Sequence, residues 1–232
     1  MKIAGVRGKR TTGMAVIHRT VLNPTKLELL TGWLPSRPWY QGGQGTPELV
    51  KAGGFRLDDP EGEVGIEFMV VTDTSGAGAT CYLVPLTYRG APLDGAEHAL
   101  IGTMEHGVLG RRWAYDGCHD PVLIAQLLAL IAGKAEAQDQ NISDTPDREV
   151  TRSSAAPAPE GFSADATDDQ EGTELRAADG TALRLQRVLR PGGDDEAALP
   201  PEVIGHVAGA WSLPDGIPVR GLFAALRTGS RA

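Results

Sequence analysis

Apolar residues recur along the chain with two different periods. Asn23-Pro24 is an N-cap residue followed by proline at the first helical position, and Leu27, Leu30 and Leu34 then fall at helical spacing until Pro35 stops the run. The spacing predicts a short helix ending in Trp33-Leu34-Pro35. From Val50 to about Arg89 the period drops to two. Val64 to Val71 and Thr80 to Leu86 are rich in β-branched and apolar residues, and Asp73-Thr74-Ser75-Gly76-Ala77-Gly78 lies between them. This is the turn chemistry that joins antiparallel strands. Ala99 to Glu105 and Val108 to Tyr115 read as a second hairpin about His106-Gly107, giving an antiparallel sheet of four or five strands. Asp120-Pro121 repeats the cap-and-proline signature, and Ile124, Leu127, Leu128 and Ile131 occupy i, i+3, i+4 and i+7. That is an amphipathic helix, expected across one face of the sheet. Gly133 falls near its end, with a fraying extension expected to about Ala137.

The flanking segments lack this patterning or carry it in shorter pieces. Residues 1–13 are basic, Gly-rich and aperiodic, as expected of a flexible leader, with Met14 an alternative start. Residues 138–172 are almost without apolar positions and rich in Asp, Glu, Ser, Ala and Pro, so burial cannot offset the cost of ordering them, and a disordered acidic linker is expected. Beyond it, Ala182 to Leu189, Val203 to Trp211 and Ile217 to Leu226 are strand-like, with Pro214-Asp215-Gly216 as a hairpin turn. This β-rich tail, 173–232, either forms a small meander or adds strands to the first sheet. The fold class expected is α+β: an antiparallel sheet with two packed helices over 14–137, then the linker, then the tail.

Charge and composition narrow the class. The 232 residues include 22 Lys and Arg against 30 Asp and Glu, a net charge of -8, which argues against nucleic acid as a partner because a phosphate backbone calls for a dense basic face. No apolar run approaches the roughly 20 residues that cross a bilayer. The basic start, Lys2, Arg7, Lys9 and Arg10, is not followed by the apolar core of a secretory signal. A cytoplasmic protein with no membrane partner is expected. Thirty Gly and sixteen Pro fit turns and short strands better than a helical bundle. Cys81 and Cys118 are read as buried small apolar residues.

Candidate chemistry is sparse. Gly5-Val6-Arg7-Gly8-Lys9-Arg10-Thr11 has the composition of a phosphate loop without its spacing, and Gln41-Gly42-Gly43-Gln44-Gly45 reads as an exposed turn. No serine has a G-x-S-x-G context, and His18, His98, His106, His119 and His206 include no i, i+4 pair for a metal. His119-Asp120 could be a base with its orienting acid, but Asp120 as helix cap is the preferred reading. Asp58-Asp59, Asp168-Asp169 and Asp194-Asp195 are placed on solvated turns. No catalytic residue, cofactor or metal ligand is therefore assigned. Trp33, Arg37, Trp39 and Tyr40 form the candidate interaction surface, since aromatics with Arg anchor interfaces and sugars stack on such platforms. The alternative is a helix-to-strand corner packed on the sheet.

Two segments resemble a known family. Trp33-Leu34-Pro35-Ser36-Arg37-Pro38-Trp39-Tyr40-Gln41-Gly42 resembles the W-L-P-x-x-R-W-Y-x-G stretch near the start of actinobacterial maltokinases. Val108 to Pro121, with Tyr115-Asp116-Gly117-Cys118-His119-Asp120-Pro121, resembles the V-Y-D-(A/G)-x-H-D-P turn later in the same region. Together they are similar to the N-terminal cap domain of maltokinase-like sugar kinases, over about 14–137. Pro38 stands where the family usually has Arg, so the basic position shifts to Arg37. The resemblance implies an antiparallel sheet with packed helices preceding a two-lobed kinase, whose H-G-D-x-x-x-x-N catalytic loop and metal-binding Asp lie in the lobes. Neither motif occurs here: His119-Asp120 runs into Pro121. What is implied is a stand-alone, non-catalytic cap that acts as a binding or regulatory partner in α-glucan metabolism (trehalose, maltose 1-phosphate, glycogen). Its partner would be a sugar kinase, an α-glucan enzyme or a small carbohydrate. The competing class is an ATP-dependent sugar kinase or glucan-acting enzyme with a site outside the known motifs.

Overall fold

The strongest period-two stretch of the sequence becomes the centre of the sheet. The computed structural model describes residues 22–142, 144–155, 162–192 and 199–229; the expected leader, the Gly5 to Thr11 stretch and Asp194-Asp195 lie outside them. Strands β3 (Gly65–Asp73) and β4 (Thr80–Arg89) form an antiparallel hairpin, in register from Asp73 opposite Thr80 to Gly65 opposite Tyr88. Strand β2 (Leu49–Leu57) pairs with the other edge of β3. Strands β5 (Leu100–His106) and β6 (Gly110–Asp116) form the second hairpin, and β6 runs along the C-terminal half of β4 from Leu86 to Arg89. The short β1 (Leu22–Asn23) lies on the outer edge of β5. The antiparallel sheet with two helices is thus present.

The N-terminal half of β4 is taken by the tail. Strands β10 (Ala182–Gln186) and β11 (Val188–Leu189) are one run interrupted at Arg187, and β11 pairs with Cys81 and Tyr82 of β4. Strand β10 pairs with β13 (Pro218–Arg227), β13 with β12 (Val203–Ser212), and Trp211 of β12 with Gly53 of β2. The ring β4, β3, β2, β12, β13, β10/β11 therefore closes on β4, a six-stranded antiparallel barrel without free edges along its seam. Gly53 permits the last contact, because a Cβ there would sit 3.2 Å from the Trp211 Cα. Strands β9 (Gly172–Ala177) and β8 (Phe162–Asp168) extend outward from β10, and β7 (Thr151–Ser154) lies on β12.

Every ring strand contributes to one core: Phe55, Phe68, Leu83, Leu183, Val207, Trp211 and Phe223 belong to it. Phe55 stacks on Phe68 with centroids 4.5 Å apart. The alternate residues of β3 and β4, Met69, Val71, Tyr82 and Val84, face a second core under the first helix, with Leu30, Trp33, Leu34 and Trp39. Burial on both faces is why these strands read as nearly continuous apolar runs.

Helix α1 (Lys26–Trp33) is capped by Thr25 rather than Asn23, which belongs to β1. The Thr25 hydroxyl accepts from the Glu28 amide at 3.2 Å, and the Glu28 carboxylate accepts from the Thr25 amide at 2.7 Å. This reciprocal pair satisfies two otherwise orphaned donors, which Asn23 does not do. Helix α2 (Pro121–Ile131) begins where expected, the Asp120 carboxylate accepting from the Val122 amide at 3.0 Å. It stops at Ile131, without the expected extension to Ala137. Gly133 has φ +73°, a left-handed turn that ends the helix. No helix among the described residues is long and apolar enough to cross a membrane.

The described residues of 138–172 are paired rather than forming the disordered linker expected. Gln138 bridges to both Arg56 and Pro146, and β7 and β8 join the sheet. Counting apolar residues missed the source of order here. These backbones borrow hydrogen bonds from existing strand edges, and the acids fold back on their own loops: Asp139 accepts from the amides of Asn141 and Ile142, Asp147 from that of Glu149.

Candidate functional site

The two segments singled out in the sequence meet at one place. At the end of α1 a 3-10 turn, Leu34–Ser36, reverses the chain, and the Ser36 hydroxyl donates to the Trp33 carbonyl at 2.7 Å. The turn brings Trp39 back onto Trp33, edge to face at 5.7 Å. Arg37 lies over the outer side of Trp33, its guanidinium carbon 4.9 Å from the ring centroid, and donates to the Ser36 hydroxyl. Tyr40 stacks on Tyr82 at 5.8 Å and donates to the Asp73 carboxylate at 2.8 Å. Burial, reinforced by that carboxylate, pushes the Tyr40 phenol up to about 12.

The expected aromatic surface is therefore largely turned inward. Trp33 is buried and Trp39 fully enclosed, while Arg37 and Tyr40 are half-buried and Pro35, Ser36 and Pro38 are exposed. A Trp–Trp–Tyr82 layer gains more by covering β4 than by facing water. What reaches solvent is a proline-arginine knuckle supported from beneath.

Below Trp39 lies the residue that joins the two segments. The buried Arg187 sits 5.0 Å over the Trp39 ring, and its Nη2 is 2.6 Å from each carboxylate oxygen of Asp116. Its Nε donates to the Thr173 hydroxyl at 2.7 Å, and that hydroxyl donates to Asp168 at 2.6 Å. Burial by itself disfavours the charged guanidinium, but the Asp116 carboxylate outweighs it and holds Arg187 protonated. Asp116 also accepts from the Cys118 amide, opening the turn that leads to His119 and α2. Both cysteines are free and buried, and burial pushes the Cys118 thiol far above its usual range. Arg187 escaped the sequence reading because it sits inside a strand-like run, where a lone basic residue reads as solvent-facing.

The remaining candidates resolve into internal contacts. Asp120 does not orient His119; it caps α2 and takes the Arg89 guanidinium in a two-pronged pair, both bonds 2.7 Å. His119 instead places Nδ1 3.1 Å from His98 Nε2, and burial lowers its pKa. Asp59 is buried, contrary to the solvated turn expected, because its carboxylate accepts from the amides of Glu61, Glu63 and Val64. Asp168 accepts from the Thr173 hydroxyl, and Asp169, exposed as expected, pairs with Arg184. Under α1 the buried Glu67 accepts from Lys26 Nζ and, at 2.8 Å, from the Tyr88 hydroxyl. Among the described residues no group of three or more His, Cys, Asp or Glu side chains is placed to hold a metal ion.

Residues 33–120 match the family model of the maltokinase N-terminal cap domain. The match runs from Trp33 to Asp120 and takes in the Trp33 to Gly42 segment, the second segment as far as Asp120, and strands β2 to β6. Helix α2, the tail and Arg187 lie beyond it. A comparison with curated proteins gives no match.

Proposed function

We propose that the chain is a non-catalytic module of maltokinase-associated carbohydrate metabolism that docks a sugar kinase through the knuckle at residues 35–40. The observation that supports this most is the layering of the knuckle inside the cap match. Pro35, Ser36 and Pro38 are exposed, and Arg37 is laid on Trp33. A patch fixed in advance by prolines and a buried aromatic floor loses little conformational freedom on binding. Arg37 forms no ion pair among the described residues, so its planar guanidinium is available to a partner carboxylate. A binding role also suits the carboxylates of the second motif segment, which are engaged internally: Asp116 with Arg187 and Asp120 with Arg89.

The test is calorimetric titration of the chain with a purified maltokinase, alongside an α-glucan enzyme and maltose. Saturable binding to the kinase is expected, weakened about tenfold or more by Arg37→Glu, a loss of about 1.4 kcal/mol. Circular dichroism of the variant should match the parent. Binding of the other enzyme or of maltose alone would move the reading to that partner. ATP-dependent phosphorylation of maltose by the chain alone would overturn the non-catalytic assignment.

A further inference from the structure

Past the C-terminus of α2 lies an open cleft of about 650 Å³, within the size range of small-molecule sites. Three cations converge on it from separate stretches: Lys134 just after the helix, Arg148 in the following loop and Arg152 in β7. Elsewhere on the molecule Arg89, Arg184, Arg187 and Arg220 each have a carboxylate partner. None of these three forms an ion pair among the described residues, although Glu136 and Asp147 line the same cleft.

Arg152, like Lys134 and Arg148, is an exposed side chain lining the cleft. Its guanidinium lies against Gly133, where a Cβ would meet Nη1 at 2.6 Å and Cζ at 2.7 Å. Gly133 itself is held to glycine by its positive φ of +73°. Asp147, which also lines the cleft, accepts from the Glu149 amide at 2.9 Å, and burial raises its pKa. The floor carries apolar surface from Leu130 and Val150. Guanidinium and ammonium groups suit a phosphate, whose oxygens accept charge-assisted hydrogen bonds. Carboxylates suit hydroxyl donors, and a small apolar floor suits the C–H face of a pyranose ring.

We propose that this cleft binds a phosphorylated sugar, with Lys134, Arg148 and Arg152 holding the phosphate and Glu136 and Asp147 accepting from the hydroxyls. None of the knuckle residues lines the cleft, so this site and the docking face stand or fall separately.

The test is calorimetry on the full chain with glucose 1-phosphate, inorganic phosphate, glucose and ATP as separate titrants. Glucose 1-phosphate is expected to bind at one site, at least about tenfold more tightly than phosphate or glucose, and less tightly as salt is raised. Arg148→Gln and Arg152→Gln should each weaken it by about tenfold. Glu136→Gln should weaken glucose 1-phosphate while leaving the response to phosphate unchanged. Absence of saturable glucose 1-phosphate binding would overturn the proposal, as would unchanged affinity in both arginine variants. Phosphate binding as tightly as glucose 1-phosphate would remove the sugar from the assignment, and tighter ATP binding would make it a nucleotide site instead.

Discussion

Arg187 and Asp116 form a buried ion pair that ties the tail to the last residue of β6, at the point where the edge of β4 passes from β6 to β11. Removing one partner leaves the other charged and out of water. Arg187→Met is expected to cost roughly 3–5 kcal/mol in urea unfolding. Asp116→Asn should cost a similar amount, and the double variant clearly less than the sum. Strict additivity would contradict the coupling.

Trp39 and Arg37 are two residues apart and should behave as opposites. Trp39→Ala removes a fully enclosed indole from the core under α1 and is expected to destabilise by about 3–5 kcal/mol. Arg37→Ala removes only a half-buried side chain that covers the outer side of Trp33 and donates to the exposed Ser36 hydroxyl, and should stay within about 0.5 kcal/mol. Thermal and denaturant unfolding of the two variants separate the supporting layer from the outward face.

Glu67 and Tyr88 set the pH limits of the α1 side of the sheet. Burial alone would raise the Glu67 pKa, but Lys26 and the Tyr88 hydroxyl hold it below its ordinary 4.5. The unfolded chain therefore takes up this proton first on acidification. The stabilising contribution is full above about pH 4.5 and fades as pH falls through the folded value. Tyr88 is raised well above 10 by burial and by Glu67. Its contribution is full below pH 10 and fades as pH rises towards the folded value. Lys26→Met should lower stability at neutral pH and flatten the acid limb, as followed by denaturation at stepped pH. An unchanged acid slope would contradict the assignment.

Cys118 is enclosed and its thiol is held protonated by burial. Both cysteines should resist a thiol reagent such as DTNB in the native state and react fully once the chain is unfolded. Native-state labelling of Cys118 at the rate of a free thiol would contradict the packing.

The central hairpin, the β5–β6 pair and the Asp120 cap were legible because each rests on local chemistry: β-branched apolar runs, turn residues, a cap followed by proline. The Thr25 cap was legible too, since Thr25 and Glu28 have capping-box spacing, but Asn23-Pro24 two residues earlier was the louder signal. Closure of the barrel was not legible. It depends on β11 meeting Cys81 and Tyr82, and on Trp211 meeting Gly53, pairings between residues more than a hundred positions apart. The candidate surface was half legible: the cluster of Trp33, Arg37, Trp39 and Tyr40 is real, but which members face outward is decided by the 3-10 turn and by Arg187 beneath. Burial of Asp59 had no periodic signal at all, because it comes from three backbone amides converging on one carboxylate.

The most direct test of this architecture is an amide NMR spectrum of residues 14–137 alone, compared with that of the full chain. With the barrel seam formed by β10 to β13, the isolated segment should lack the dispersion of a folded sheet. Adding residues 173–232 in trans should restore it at least in part. A well-dispersed spectrum from residues 14–137 alone, with stability equal to that of the full chain, would show that this segment folds without the tail and would contradict closure as the basis of the fold.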